Sequence, residues 1–132
     1  RCDIVISDLG DTPIGISMDS EHLKRILSNL LDNALRHSLE EGGSSRIRLD
    51  TTVDKQGHLV HLDVVDFGLG VAEYNLPRLF EPFFTTSKHG SGLGLYLCKE
   101  LCEINSARLT YRRTPAGESA FRITFDRVPS VS

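Results

Sequence analysis

An excess of positive charge is missing from this sequence: 15 Lys and Arg stand against 18 Asp and Glu, for a net charge of −3. That excludes the basic footprint on which nucleic-acid binding draws, so no nucleic-acid partner is expected. Any nucleotide would have to be held by local geometry. No apolar run approaches the roughly 20 residues that a membrane helix requires. The opening stretch, Arg1-Cys2-Asp3-Ile4-Val5-Ile6-Ser7, has neither a Met nor the character of a signal peptide. It reads as a cut from a longer chain, whose missing part could carry membrane spans. Cysteines are few, and Cys2, Cys98 and Cys102 lack zinc spacing. Cys98 and Cys102 sit i, i+4 on an apolar helix face and read as reduced core thiols, with a redox role as the alternative. Internal repeats and low-complexity segments are absent as well.

What is there has the make-up of one soluble globular domain. The 132 residues are 39% hydrophobic and 25% charged, enough to bury a real core. Residues 20 to 38 organise the rest. Leu23, Ile26, Leu27, Leu30, Leu31, Ala34 and Leu35 recur at helical spacing and form one apolar stripe. Ser20 or Asp19 can cap its start by accepting from the first free amides. On the edge of the stripe Asn29, Asn33 and His37 stack in a column at i, i+4, i+8. Asparagine is a mediocre helix former because its side chain competes for backbone bonds. The column is therefore either a set of partly buried amides bonded to neighbours or a row of ligands facing a cleft.

Around this helix the chain reads as strands. Residues 2–7 and 14–18 form a small hairpin about Gly10-Asp11-Thr12-Pro13. A polar loop over 40–45 leads to strands at 46–53 and 58–66, joined by a turn at Asp54-Lys55-Gln56-Gly57 and predicted to be antiparallel. A short helix over 72–80, interrupted near Pro77, and a mobile loop over 81–91 follow. Helical period returns from Gly92, and strands at 108–113 and 119–125 close the chain before a frayed tail at 129–132. The order predicts an α+β two-layer sandwich, with helices on one face of a mixed, mostly antiparallel sheet.

Three pieces carry chemistry. Asp66 ends a buried strand and is followed by Gly68 and Gly70. An ionised carboxylate there needs a donor, and the exocyclic amine of adenine is one, with glycines letting the backbone approach a flat base. A turn with a capping Asp is the alternative. Asp66-Phe67-Gly68 does not signal a protein kinase, since the chain is too short and lacks a His-Arg-Asp loop and a strand lysine. Next, Gly90-Ser91-Gly92-Leu93-Gly94-Leu95 runs directly into a helix, whose first amides make a phosphate site; a flexible hinge fits equally. It is not a P-loop, because no Gly-Lys-Ser/Thr follows, nor a dinucleotide fingerprint, because its third glycine comes one place early. Lys88 and His89 upstream either add cationic contacts or sit on a solvated loop. Lastly, the aromatics of Leu79-Phe80-Glu81-Pro82-Phe83-Phe84 either pack the loop down over a ligand or fill core.

Taken together, these pieces resemble the catalytic, ATP-binding domain of bacterial sensor histidine kinases, within the wider group that includes gyrase, the Hsp90 chaperones and mismatch-repair ATPases. Asn29 to Ala34 matches the family's N box, Asp66 to Gly70 its G1 box, Leu79 to Phe84 its F box and Gly90 to Leu95 its G2 box. The resemblance implies a cytoplasmic domain that binds ATP with Mg²⁺. Asn33 would hold the Mg²⁺ and Asn29 would line the same cleft. Arg36 would sit near phosphate, and His37 would border the adenine. Asp66 would bond the adenine amine, with Gly68 and Gly70 shaping its pocket. Gly90, Gly92 and Gly94 would form lid hinge and phosphate cradle, and Thr124 would supply a hydroxyl near the adenine. Phe67 departs from the Asn usual after the G1 aspartate, and Gly117 is the only glycine of a last turn that is often richer. The run Pro82 to Glu103 looks most like the nitrogen-regulation and type IV pilus sensor branch.

In this family the nucleophile is a histidine on a separate dimerisation domain, and the phosphate passes on to a response regulator. The related ATPases activate water with a Glu at the position held here by Asn29, which cannot act as a general base. The five histidines fall in no sequence resembling the phospho-acceptor motif. The fragment is thus expected to bind Mg·ATP as a monomer without phosphorylating itself. The alternatives are a regulatory nucleotide module, pseudokinase or anti-sigma-like, and a hydrolytic ATPase.

Overall fold

A computed structural model describes residues 2–6, 14–40, 46–85 and 90–128, with side chains from residue 15 and excluding 38–40. The Gly10–Pro13 turn, loop 41–45, Lys88, His89 and the tail 129–132 lie outside the described residues. The elements are β1 (Cys2–Ile6), β2 (Ile14–Met18), α1 (Ser20–Glu40), β3 (Ile47–Val53), β4 (Leu59–Asp66), a 3₁₀ helix (Glu73–Arg78), α2 (Gly94–Ile104), β5 (Arg108–Arg113) and β6 (Ser119–Val128).

The sheet runs β1-β2-β6-β4-β3, with β5 also on β6. Strand β6 is the shared rail. Along one edge its residues 119–126 pair with β4. Its other edge is divided, with β5 taking 119–124 and β2 taking 127–128. Every described pairing is antiparallel, so the mixed component expected from the sequence does not occur among them. The two-layer α+β arrangement stands.

The period of two along the strands divides the sheet into two chemistries. Val60, Leu62 and Val64 of β4 and Phe121, Ile123 and Phe125 of β6 are buried against Leu23, Ile26, Leu30 and Ala34 of α1 and Cys98 and Cys102 of α2. Each fully buried aliphatic side chain contributes about 1.5–3 kcal/mol. Leu35, placed in the stripe by its spacing, lies at the stripe's margin and is 38% exposed. The other sheet face mixes buried apolar residues, Val65 and Ala120, with charged ones. Asp63 accepts from Arg122 Nε at 2.8 Å and Nη2 at 3.0 Å, with Arg112 at 3.5 Å.

Asp19 is the cap of α1: its Oδ1 accepts the His22 N–H at 3.0 Å, and that bond holds its carboxyl below the usual carboxylate range. Asn105, just past α2, fastens the far end of the helix pair. Its Oδ1 accepts the Asp19 N–H at 3.1 Å, and its Nδ2 donates to the Leu101 carbonyl at 2.7 Å and meets His22 Nδ1 at 3.0 Å. The short helix expected over 72–80 is a 3₁₀ helix that contains Pro77, not a helix stopped by it; at six residues it is too short for the proline to interrupt a continuing α-helical ladder.

Candidate functional site

One cavity of about 410 Å³ opens between the second half of α1, the end of β4 and the start of α2. Asn29, Asn33, Arg36 and His37 line it from α1, Asp66 and Gly70 from the β4 end, and Gly92 and Gly94 from the glycine run. The helical column faces a cleft, as the ligand reading required. Asn33 is 9% exposed and Asp66 3%, so both are polar groups held inside.

Each side chain has a local anchor. Arg36 Nη2 donates to Asn33 Oδ1 at 3.3 Å, while Arg36 Nε is buried with no hydrogen-bond partner. A buried guanidinium N–H without an acceptor calls for an anion. Asp66 Oδ1 accepts the Gly68 N–H at 2.9 Å, which fixes the carboxylate at the strand end. Asn29 is gripped from α2: burial pushes the Cys98 thiol up to about 11, opposed by a hydrogen bond from the Asn29 side chain. Cys98 Sγ also donates to the Ile26 carbonyl at 3.7 Å, so this core thiol ties the two helices together beside the cavity.

The rim opposite is stapled. The Phe83 N–H donates to the Gly92 carbonyl at 2.7 Å, joining the two ends of the segment over 84–91. Phe83 has φ 67° and Gly92 φ 78°. A Cβ at Gly92 would lie 2.4 Å from the Phe83 carbonyl carbon, whereas one at Gly94 would meet nothing within 4 Å. The aromatics of this region divide their roles. Phe80 packs edge-on to Phe121 with centroids 6.2 Å apart, Phe84 lines the cavity, and Phe83 is 73% exposed.

Three expected site residues fall elsewhere. Thr124 lies on the outer sheet face, where its Oγ1 is 3.0 Å from His61 Nδ1; strand parity places Ser119, not Thr124, on the cavity side. Gly68 and Gly90 do not line the cavity, although the Gly68 N–H acts on it through Asp66. Phe67 also leaves the wall and lies under Arg46, with the guanidinium carbon 4.9 Å from its ring centroid. Lining residues that the sequence reading missed include Asp32, Tyr74, Asn75, Leu79, Ser119 and Phe121. Alternation counted back from Phe121 would have found Ser119. Tyr74, Asn75 and Leu79 needed the fold of the 71–79 segment, whereas Asp32 sits on α1 beside Asn33 and Phe121 on β6.

An asparagine helix, a strand-end acid and a glycine turn around one hollow, over an antiparallel sheet, define a class. The chain belongs to the family described as histidine kinase-, DNA gyrase B-, and HSP90-like ATPase, whose family model matches residues 18–129. Within it, the chain is 47% identical over 117 residues to the sensor protein kinase PilS of Pseudomonas aeruginosa, covering 89% of this chain and 22% of that protein. It is 37% identical over 116 residues to the alginate biosynthesis sensor protein KinB of Pseudomonas aeruginosa, covering 86% and 19%. The chain thus spans about a fifth of the length of these curated relatives. Among solved structures, the mycobacterial sensor histidine kinase MprB superposes with a TM-score of 0.74 at 28% identity, covering 90% of this chain and 79% of that one. The likeness to sensor histidine kinases is therefore established, and the match to PilS supports the pilus side of the expected branch.

Proposed function

We propose that this chain is a single catalytic domain that binds Mg·ATP and presents the γ-phosphate to a histidine on a separate dimerisation domain of the same sensor kinase. The observation that carries the reading is the convergence of Asn33, Arg36, Asp66, Gly92 and Gly94, far apart in sequence, on one hollow. Asp66 accepts from the exocyclic amine of adenine, and His37 borders the base. The amides that open α2 at Gly94 face the phosphates, where the helix dipole favours negative charge. Arg36 Nε supplies a further donor.

The donor set fits Mg²⁺ carried mainly by phosphates. The Asn33 amide oxygen, which already accepts from Arg36 Nη2 at 3.3 Å, would hold the ion, with Asp32 on the same wall. That suits an ion which keeps several waters and takes few protein ligands. When bound, Mg²⁺ neutralises charge on the phosphates. Asn29 carries no titratable group, so nothing at its position abstracts a proton from water. Phosphoryl transfer depends chiefly on positioning and charge, and the nucleophile then comes from outside.

The fragment is read as a cytoplasmic monomer, and a response regulator takes the phosphate onward. No described helix is long and apolar enough to cross a membrane. The test is an ATP titration with and without Mg²⁺ on the native chain, Asn33→Ala and Asp66→Ala. Asp66→Ala is expected to weaken binding about 10–100-fold, and Asn33→Ala to abolish most of the Mg²⁺ dependence. Equal affinity in all three sinks the assignments. Phosphohistidine formed only when the dimerisation domain is added supports transfer. Binding without transfer leaves a regulatory nucleotide module.

A further inference from the structure

Strand β5 carries two side chains that the nucleotide reading leaves without a role. Tyr111 and Arg113 stand two residues apart, on the same face of the strand, and both turn to the loop that follows Asp66. Tyr111 Oη accepts the Val71 N–H at 3.0 Å, and Arg113 Nη2 donates to the Leu69 carbonyl at 2.8 Å. Between those two anchor points lies Gly70, at φ 82°. Each side chain is itself seated. The Tyr111 ring lies edge-on to Phe121 with centroids 5.2 Å apart, and its Oη donates to Ser119 Oγ at 3.1 Å. Arg113 Nη1 donates to the Gly117 carbonyl at 3.3 Å.

Gly70 has no room on that side. A Cβ there would lie 2.6 Å from Tyr111 Oη and from Arg113 Nη2, so the pair fills the place a side chain would take. Neither Tyr111 nor Arg113 lines the cavity, but Gly70, Val71 and Ala72 are three consecutive pieces of its wall. Residues 67–72 belong to no helix or strand, so no ladder holds this stretch. Loop backbone of that kind is mobile unless something outside it supplies the bonds.

We propose that Tyr111 and Arg113 are positioning residues which, acting together from β5, hold the 69–71 backbone as a preformed wall and so set how tightly the cavity takes its ligand. The inference rests on the nucleotide reading above. A wall ordered beforehand need not be ordered by the ligand, and affinity gains accordingly. Each side chain grips one end of the same short segment. Release of either end frees the segment, so the two losses are coupled and do not add.

The test measures ATP affinity and exchange of the Val71 amide in the native chain, Tyr111→Phe, Arg113→Ala, Arg113→Lys and the Tyr111→Phe/Arg113→Ala double variant, with thermal melts as a check on folding. Tyr111→Phe keeps the ring contact with Phe121. Tyr111→Phe and Arg113→Ala are each expected to weaken ATP binding about fivefold, the equivalent of one hydrogen bond, with its Mg²⁺ dependence retained. The double variant should fall well short of the product of the two. Arg113→Lys, which still carries a donor for the Leu69 carbonyl, should recover part of the loss. In Arg113→Ala the Val71 amide should exchange at least about fivefold faster while the β4 amides keep the native rate. Unchanged ATP affinity in Arg113→Ala overturns the proposal, and so does a double variant that reaches the full product. Val71 exchange that rises only in step with the β4 amides overturns it too, being the signature of a merely structural role. These outcomes leave the nucleotide site itself standing. A native chain that binds no ATP overturns the underlying reading, and this one with it.

Discussion

Replacing Gly92 and Gly94 separately by alanine asks whether the glycine run is a staple, a cradle or both. At Gly92, φ 78° costs an L side chain about 1–2 kcal/mol. The new Cβ would also sit 2.4–2.7 Å from the Phe83 backbone, and relief requires backbone movement, worth about 1–3 kcal/mol in a packed setting. The sum, about 2–5 kcal/mol, exceeds the roughly 1 kcal/mol of the single Phe83–Gly92 hydrogen bond. The chain therefore relaxes by releasing the staple instead of straining the core. The expected result for Gly92→Ala is a drop in Tm of a few degrees together with exchange of the Phe83 amide accelerated at least about tenfold. At Gly94 the backbone is helical and a Cβ meets nothing within 4 Å. Alanine there should raise helix stability by about 0.5–1 kcal/mol, yet it adds a methyl to the cavity wall and should weaken ATP binding. Unchanged Phe83 exchange and unchanged Tm in Gly92→Ala refute the staple. A Gly94→Ala variant that binds ATP as tightly as the native chain refutes the cradle.

Other expectations rest on the sheet and the core. Asp63→Ala removes the carboxylate between Arg122 and Arg112, whose side chains are 20% and 32% exposed. Solvent discounts the loss expected of a fully buried pair to about 1–3 kcal/mol, to be read from the urea midpoint. Burial pushes the Cys98 thiol up to about 11 and the Cys102 thiol up to about 12, so neither should be alkylated by iodoacetamide at pH 8 until the chain unfolds; labelling of either in the folded chain, read by peptide mass, contradicts their burial. The Leu59 N–H holds the Asp54 carboxyl below the usual range. A depressed carboxylate stabilises the fold above its unfolded value and loses that effect as pH falls. The Tm gap between the native chain and Asp54→Ala should therefore be open at pH 7 and close on acidification below about pH 4.

Much of this was readable from residue spacing. The stripe through Leu23, Ile26, Leu30 and Ala34 places α1, because a period near 3.6 has one buried face. The stripe's other edge gives up Asn29, Asn33 and His37 as cleft residues. Leu35 misled because a wheel does not say where the stripe ends. Thr124 misled for a different reason: in β6 both faces are largely covered, Ala120 at 0% exposed as well as Ile123, so hydrophobicity conceals the alternation that separates Ser119 from Thr124. The links that fix the site lie further still from local pattern. Tyr111 reaches Val71, 40 residues away, and Asn105 reaches Asp19, 86 away. They exist only once the β5–β6 register and the helix pairing are set.

The Asn105 fastening turns the two helices into tongs. They are pinned where α1 begins and α2 ends, and the cavity lies towards the opposite end of the pair, beyond the Cys98–Ile26 tie. The arm from Asn105 back to Gly94 is roughly 16 Å at the rise of an α-helix. A pivot of about 5° at the pin would thus shift a tip by about 1.4 Å by simple geometry, half the length of a hydrogen bond. Small changes in the angle of this pair are therefore magnified where a phosphate would be gripped.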